Sequence, residues 1–390
     1  VLLSAALIVR DEERFLGDCL RSIAGLVDEA VVVDTGSTDR SREIARDLGA
    51  RLFELPWTGD FAAARNYALD QARGAWILYI DADERVTAGG RDDLAPLLAD
   101  PRLAACTVRF RPITGATRYR EYRLFRNRPD LRFSGVIHET HVPALLEVCA
   151  RYEMGIAHSA VAIDHLGYDG DISHKHGRNL PLLRARLATD PTHVYSWGHL
   201  GATLSGMGDA AGAEQAWRQG LAVARGKRAR SLSDSGAYVD MARLLIGRGG
   251  DGGERGEGGS GEGSKAGEVG ATRDVREARE IVAEGLFLFP DNFTLQWFQA
   301  RLLLDAERFE EALPMLERLV ATDPDEEAGG VLAHDERIFG LFAYEGLGLC
   351  CFRLGRFAES AHWYGRAEAV SPSPLENRTK RLLAASRAGA

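Results

Sequence analysis

Asp81, Asp83 and Glu84 follow directly on an apolar run, Trp76-Ile-Leu-Tyr-Ile80. Two aspartates with one spacer put hard oxygen donors at a single point. That is the kind of site Mg²⁺ or Mn²⁺ takes together with substrate phosphates. An apolar run this short reads as a buried strand, whose first charges mark where the chain leaves the sheet. In open α/β sheets the ligand lies at that exit. The competing reading of an isolated Asp-x-Asp is a polar turn that caps the next helix, so the flanking elements have to decide.

Those elements alternate. Residues 2–9 form a first strand that ends at Arg10-Asp11-Glu12-Glu13, and a helix follows to about Ala24, with Leu16, Leu20 and Ile23 on one face. Residues 30–33 form a second strand, which breaks into Asp34-Thr-Gly-Ser-Thr-Asp39 before a helix that runs to about Leu48. Residues 51–54 are a third strand. Asp60 then caps a helix that carries Arg65 and Asn66 and ends near Ala72. The pattern predicts an α/β domain with a mostly parallel, Rossmann-like sheet. Strand exits then share one edge, and Arg10, Asp34, Asp81 and Asp83 face one crevice. At the second exit, Asp34 can accept a hydrogen bond from the sugar or base of a nucleotide, or serve as a simple cap. Neither a Gly-x-Gly-x-x-Gly turn after the first strand nor a P-loop is present, which argues against nicotinamide and P-loop ATPase chemistry.

Four segments in order resemble the motifs of family 2 glycosyltransferases with the A-type fold: Leu7-Ile-Val-Arg-Asp-Glu-Glu13, Val31-Val-Val-Asp-Thr-Gly-Ser-Thr-Asp39, Asp60-Phe-Ala-Ala-Ala-Arg-Asn66 and Ile80-Asp-Ala-Asp-Glu84. The likeness covers roughly residues 3–170. It implies transfer of a sugar from a nucleotide sugar, usually UDP-linked, with inversion at the anomeric carbon. It also implies roles: Asp34 on the uridine, Asp81 on the ribose or metal, Asp83 on the divalent cation, and Arg10 and Arg65 on the nucleotide sugar. The family often has Lys-Asn-Glu-Glu where this chain has Arg10-Asp11-Glu12-Glu13, which leaves the local hydrogen bonding at Asp11 open. Two later segments, Phe133-Ser-Gly-Val-Ile-His-Glu139 (with His141 two residues on) and Ile163-Asp-His-Leu-Gly-Tyr168, resemble later motifs of the same subgroup.

Inverting transfer needs a base on the acceptor, as glycoside hydrolysis illustrates. Glu139 is the first candidate and His138 the second. His165 is the candidate third metal ligand beside Asp81 and Asp83. With Mn²⁺ or Mg²⁺ neutralising the departing UDP, no protein acid is required. Residues 104–110 and 119–125 read as two strands, antiparallel to each other. The arginines at 118, 120, 123, 126 and 128 read by default as a solvated face; the alternative sets one or two of them against the diphosphate or an acidic acceptor.

The whole chain has 390 residues and a net charge of −9, so no global basic field draws nucleic acid. No apolar run reaches the roughly 20 residues of a membrane span. Five cysteines without a Cys-x-x-Cys pair argue against zinc and a disulfide framework, and for a reducing, cytoplasmic compartment. The apolar start lacks a basic leader and reads as a strand; the chain opens on Val, which leaves its true start open. Past about residue 180 strands vanish and Ala, Leu and Arg dominate in helical periodicity. Trp197, Leu200, Gly201, Leu204, Ala213, Trp217 and Gly220 fit the tetratricopeptide pattern, as do Tyr344, Leu347, Gly348, Cys351, Ser360, Tyr364 and Ala367. Leu303, Ala312, Leu316 and Pro324 mark a third unit, and Ala278, Val282 and Pro290 a fourth. Pro290 and Pro324 stand 34 residues apart, which is the repeat period. Residues 377–388 read as a capping helix. Residues 248–272, with 11 glycines, are expected to be disordered, and residues 325–340 to form a smaller insertion of that kind. The expected domains are therefore a glycosyltransferase domain at 1–172 and a helical repeat domain at 173–390. The whole arrangement resembles bacterial peptide S-glycosyltransferases of the sublancin type. Repeat solenoids suit extended peptides, so a peptide or protein acceptor is expected. The repeats could equally form a homodimer. A catalytically dead scaffold and a nucleotidyltransferase are the alternatives.

Overall fold

The computed structural model describes residues 2–113, 115–167, 173–228, 230–250 and 263–389. The chain divides into two compact units, Val1–Arg186 and Leu187–Ala390.

The first unit opens with three strand–helix pairs: β1 (Leu3–Val9), α1 (Leu16–Ile23), β2 (Glu29–Asp34), α2 (Ser41–Asp47), β3 (Arg51–Glu54) and α3 (Phe61–Gln71). Leu16, Cys19, Leu20 and Ile23 recur at helical spacing, and all four are buried under the sheet. The Asp60 side chain caps α3 by accepting the Ala63 N–H at 3.0 Å. Then come β4 (Trp76–Tyr79), β5 (Glu84–Ala88), α4 (Arg91–Ala99), β6 (Leu103–Pro112), β7 (Thr117–Arg126), α5 (Val142–Tyr152), β8 (Gly155–His165) and α6 (Ser173–Thr189). The strand order is β3-β2-β1-β4-β7-β6-β8-β5. β3, β2, β1 and β4 are parallel, as the alternation predicts. β7 then runs antiparallel to β4 and β6, and β5 antiparallel to β8, so the complete sheet is mixed.

The register fixes the geography. Val9 lies opposite Asp34, and Ala6 lies opposite Tyr79. β4 ends at Tyr79 and the Ile80 N–H still donates to the Ala6 carbonyl, so the Asp81–Asp83 turn follows at the end of the sheet where β1 and β2 also exit. Neighbouring strands are about 4.8 Å apart, so β2, which ends at Asp34, and β4, which leads to the Asp81–Asp83 turn, lie roughly 10 Å apart on either side of β1. The core on either face is aliphatic and aromatic, with Trp76, Ile77, Leu78 and Phe125 fully buried.

The second unit is a series of helical hairpins: α7 (Val194–Gly206) with α8 (Ala210–Gly226), α9 (Gly236–Gly250) with α10 (Gly263–Leu288), α11 (Phe293–Asp305) with α12 (Phe309–Ala321), and α13 (Leu341–Arg353) with α14 (Phe357–Val370); α15 (Pro374–Ala388) packs on the last. Small residues let paired helices meet. A side chain at Gly201 would lie 2.2 Å from the Trp217 ring nitrogen, and one at Gly348 would lie 2.9 Å from the Tyr364 ring. The glycine-rich segment departs from its expected bounds: residues 248–250 complete α9 and residues 263–272 begin α10, while 251–262 lie outside the described residues. Residues 325–340 are not a disordered insertion. Ile338 and His334 are buried, and His334, Phe339 and Phe293 pack edge to face, so this segment carries its own apolar anchors. Among the described residues no helix is long and apolar enough to cross a membrane. All five cysteines are free thiols.

Candidate active site

The exits of β1 and β2 are sewn together. Asp11 adopts a left-handed backbone (φ 56°), which Asp and Asn tolerate. Its N–H donates to Ser37 Oγ at 2.9 Å, and its carboxylate accepts from the Thr38 N–H at 2.7 Å. This settles the departure at Asp11: the bond needs an acceptor oxygen, which Asp supplies as Asn would. Glu12 and Glu13 donate their N–H groups to Ser41 and Asp39. Arg10 stands exposed at the same rim, 3.9 Å from Asp11.

Asp34 is 2% exposed. Its Oδ1 accepts from the N–H groups of Gly36 and Ser37 at 3.1 and 3.0 Å, closing a tight turn that places Gly36 at φ 112°. Its Oδ2 is buried with no hydrogen-bond partner. An unpaired buried carboxylate oxygen is costly, and a ligand N–H or O–H would satisfy it.

The β4 exit carries the rest. Arg65, from α3, lies half-buried between two carboxylates; it donates to Asp81 Oδ1 at 2.9 Å and to Glu139 Oε1 at 2.6 Å. Its guanidinium lies over the Tyr79 and Phe133 rings, at 5.0 and 5.7 Å. Burial opposes ionisation of Asp81, but Arg65 and then Arg123 outweigh it and hold the carboxyl below its ordinary range. Burial likewise works against the charge on Arg65, yet Asp81 and Glu139 hold it above its ordinary range. Asp83 Oδ2 lies 3.2 Å from His165 Nε2. The pairing of β5 with β8 causes this, because Glu84 is opposite His165 and the Leu166 N–H donates to the Asp83 carbonyl at 2.8 Å.

Two of the three expected metal ligands, Asp83 and His165, therefore stand together, while Asp81 is turned to Arg65. Among the described residues no three His, Cys, Asp or Glu side chains gather into a ready cage. One carboxylate and one imidazole fit a Mn²⁺ or Mg²⁺ ion that draws its other ligands from phosphate and water.

Glu139 sits on a short hairpin closed by Ser134 and Thr140, whose N–H and carbonyl groups exchange two 3.0 Å bonds. Gly135 (φ 101°) and His138 (φ 49°) turn the chain there. The hairpin docks on α3 through the Phe61 N–H to the Val136 carbonyl at 3.1 Å. Glu139 thus reaches Arg65, while His138, half-buried, forms the bend itself. His141 is buried among Phe125, Phe133 and Tyr79; burial, then Arg123 and Arg65, pull its pKa down to about 3.

The arginines between 118 and 128 are not a solvated face. Arg123 is 5% exposed and grips both oxygens of buried Glu84 at 2.9 and 3.2 Å. Glu84 in turn accepts the Asp81 N–H at 2.9 Å. Burial pushes the Glu84 carboxyl above the ordinary carboxylate range, against the pull of Arg123. Arg120 bonds Thr107 inside the sheet, and Arg126 bonds the carbonyls of Leu103 and Asp100. Arg178 of α6, which the sequence did not single out, stacks on Phe61 at 5.2 Å, within the field of Glu12 and Glu139. Tyr168 of the last motif lies outside the described residues.

Residues 4–148 match the family described as Glycosyl transferase family 2, and residues 269–327 match a tetratricopeptide repeat. Residues 4–148 form a family 2 glycosyltransferase domain. A TPR repeat-containing protein of Synechococcus elongatus is 39% identical over 229 residues, 57% of this chain and 57% of its own length. The lipopolysaccharide core biosynthesis glycosyltransferase LpsC of Rhizobium meliloti is 39% identical over 102 residues, 25% of this chain and 37% of that protein. The SPbeta prophage-derived glycosyltransferase SunS of Bacillus subtilis is 25% identical over 203 residues, 48% of this chain and 46% of that protein. The chain spans 57% or less of the length of these relatives. The family 2 domain therefore holds Asp34, Arg65, Asp81, Asp83 and Glu139, while His165 falls beyond the matched residues.

Proposed function

We propose that this chain moves a sugar from a UDP-sugar to a peptide or protein acceptor, with inversion and with a divalent cation. The observation that carries the reading is the convergence on one sheet edge of three features: the unpaired Oδ2 of Asp34, the Asp83–His165 pair, and Glu139 bound through Arg65. Asp34 Oδ2 accepts the ring N–H of uracil. Asp83 and His165 hold Mn²⁺ or Mg²⁺, which when bound supplies Lewis-acid neutralisation of the leaving diphosphate. Arg65 fixes Glu139 through one oxygen, Oε1, and no other hydrogen bond to Glu139 is made among the described residues. Glu139 takes the acceptor proton as the acceptor bonds the anomeric carbon and the bond to UDP breaks on the opposite face. Arg10, exposed at the rim, meets the donor as it enters.

The repeat unit supports a polypeptide acceptor, since solenoids offer extended concave surfaces. A saccharide acceptor is the second reading, favoured by the lipopolysaccharide core role named for the Rhizobium relative. Five free thiols fit a cytoplasmic setting. The test is UDP release from a panel of UDP-sugars with Mn²⁺, with peptide and with oligosaccharide acceptors. Release that needs metal and is lost in Asp83→Ala supports the reading. Pyrophosphate as product, or no turnover with any donor, overturns it.

A further inference from the structure

Gly167 closes the segment that follows β8. A side-chain carbon built there would lie 1.8 Å from Asp83 Oδ2, 2.8 Å from Asp83 Cγ and 2.9 Å from His165 Nε2. Its φ is not in the left-handed region, so the demand for glycine is one of space, not of backbone conformation. Two other glycines of the same unit differ in kind. At Gly89 the added carbon would meet the Val161 backbone at 2.6 Å, with φ at 82°, and at Gly74 it would meet the backbone nitrogen of Ser4 at 2.7 Å. Backbone inside a sheet cannot step aside, so those two glycines serve the fold. At Gly167 the three nearest atoms all belong to two polar side chains, Asp83 and His165, so a change of rotamer rather than of backbone would make room.

We propose that Gly167 is a positioning residue for Asp83: the space left by its missing side chain is where the Asp83 carboxylate rests against His165. The strand end then clasps Asp83 three times, through the Leu166 N–H on its carbonyl, His165 on its carboxylate, and the gap at Gly167. Filling the gap turns the carboxylate away, since the three nearest atoms all belong to the Asp83 and His165 side chains, and the sheet stays folded. The consequence for cation binding rests on the function proposed above; the consequence for Asp83 does not.

The experiment compares wild type, Gly167→Ala, Gly89→Ala and Asp83→Asn as full chains. Crystal structures of metal-free wild type and Gly167→Ala decide the placement. Asp83 rotated beyond hydrogen-bond reach of His165 supports the proposal; an intact pair, with the backbone shifted instead, overturns it. Melting should separate the glycines. Gly167→Ala stays within about 2 °C of wild type while Gly89→Ala falls several degrees, and a Gly167→Ala that unfolds or melts as early as Gly89→Ala makes the glycine structural and sinks the idea. Mn²⁺ titration of the UDP complex by electron paramagnetic resonance should show a loss of about tenfold or more in Gly167→Ala, approaching Asp83→Asn; unchanged affinity counts against it. If wild type itself binds no Mn²⁺, the proposed function falls and the crystal structures still decide the placement of Asp83.

Discussion

Replacing Asp34 with asparagine should make the free protein more stable and the complex weaker. Oδ1 is already committed to the N–H groups of Gly36 and Ser37. In Asp34→Asn the amide oxygen must keep that place, because an NH₂ there would face two donors. The new NH₂ then sits where Oδ2 was, on a residue 2% exposed, at the position proposed to meet the base. In the free protein this replaces a buried, unpaired carboxylate oxygen with a neutral group, a gain of about 1 kcal/mol. Against uracil it sets donor against donor and loses a hydrogen bond to a charged group, about 1.5–3 kcal/mol, which is roughly 10- to 150-fold in Kd. Cytosine presents an acceptor at the same ring position, so CDP should gain on UDP. The assays are melting of the free protein and calorimetric titration with UDP and CDP. A variant that loses stability, or that keeps wild-type affinity for UDP, refutes the assignment of Oδ2 to the base.

Arg123→Met leaves Glu84 buried without its cation; it should cost about 3–5 kcal/mol in urea unfolding, and Arg123→Met/Glu84→Gln should recover most of that. His141 is buried with a pKa of about 3 against an ordinary 6.5. Its folded-state value is depressed, so its stabilisation is complete above about pH 6.5 and drains away as pH falls toward 3. At pH 5 the loss is about 2 kcal/mol relative to pH 7, and His141→Phe should flatten that limb of the stability–pH curve. Gly201→Ala should lower the melting temperature of the repeat unit by a cost of about 1–3 kcal/mol, since the Trp217 ring must move.

Much of the candidate site's edge could be read from local chemistry. An apolar run ending in Asp81 and Asp83 announces a strand exit, because a strand buried on both faces has no place for charge until it leaves the sheet. Asp34 and Asp60 announce a turn and a cap for the same kind of reason: their oxygens bond backbone groups two or three residues on. Gly201 and Gly348 hold equivalent places in their repeats because each meets one ring of the partner helix, that of Trp217 and that of Tyr364. Short β5 is different. Glu84-Arg-Val-Thr-Ala88 has no apolar run, and it becomes a strand only because β8 arrives beside it.

What stayed hidden is the pairing of charges across the sheet. The arginines of β7 are spaced like a solvated face, and strand alternation alone cannot say that Arg123 points inward. It does so because Glu84 waits there, 39 residues earlier in sequence and anchored by the Asp81 N–H. The same reasoning explains Arg65. Its helix predicts nothing about two carboxylates, yet those carboxylates define its position, one from the β4 exit and one from a hairpin 74 residues away. A guanidinium shielded from water to this degree is costly to leave without either of its carboxylates. Arg65 therefore ties the Asp81 turn to the Glu139 hairpin, and a change on either side should be felt on the other.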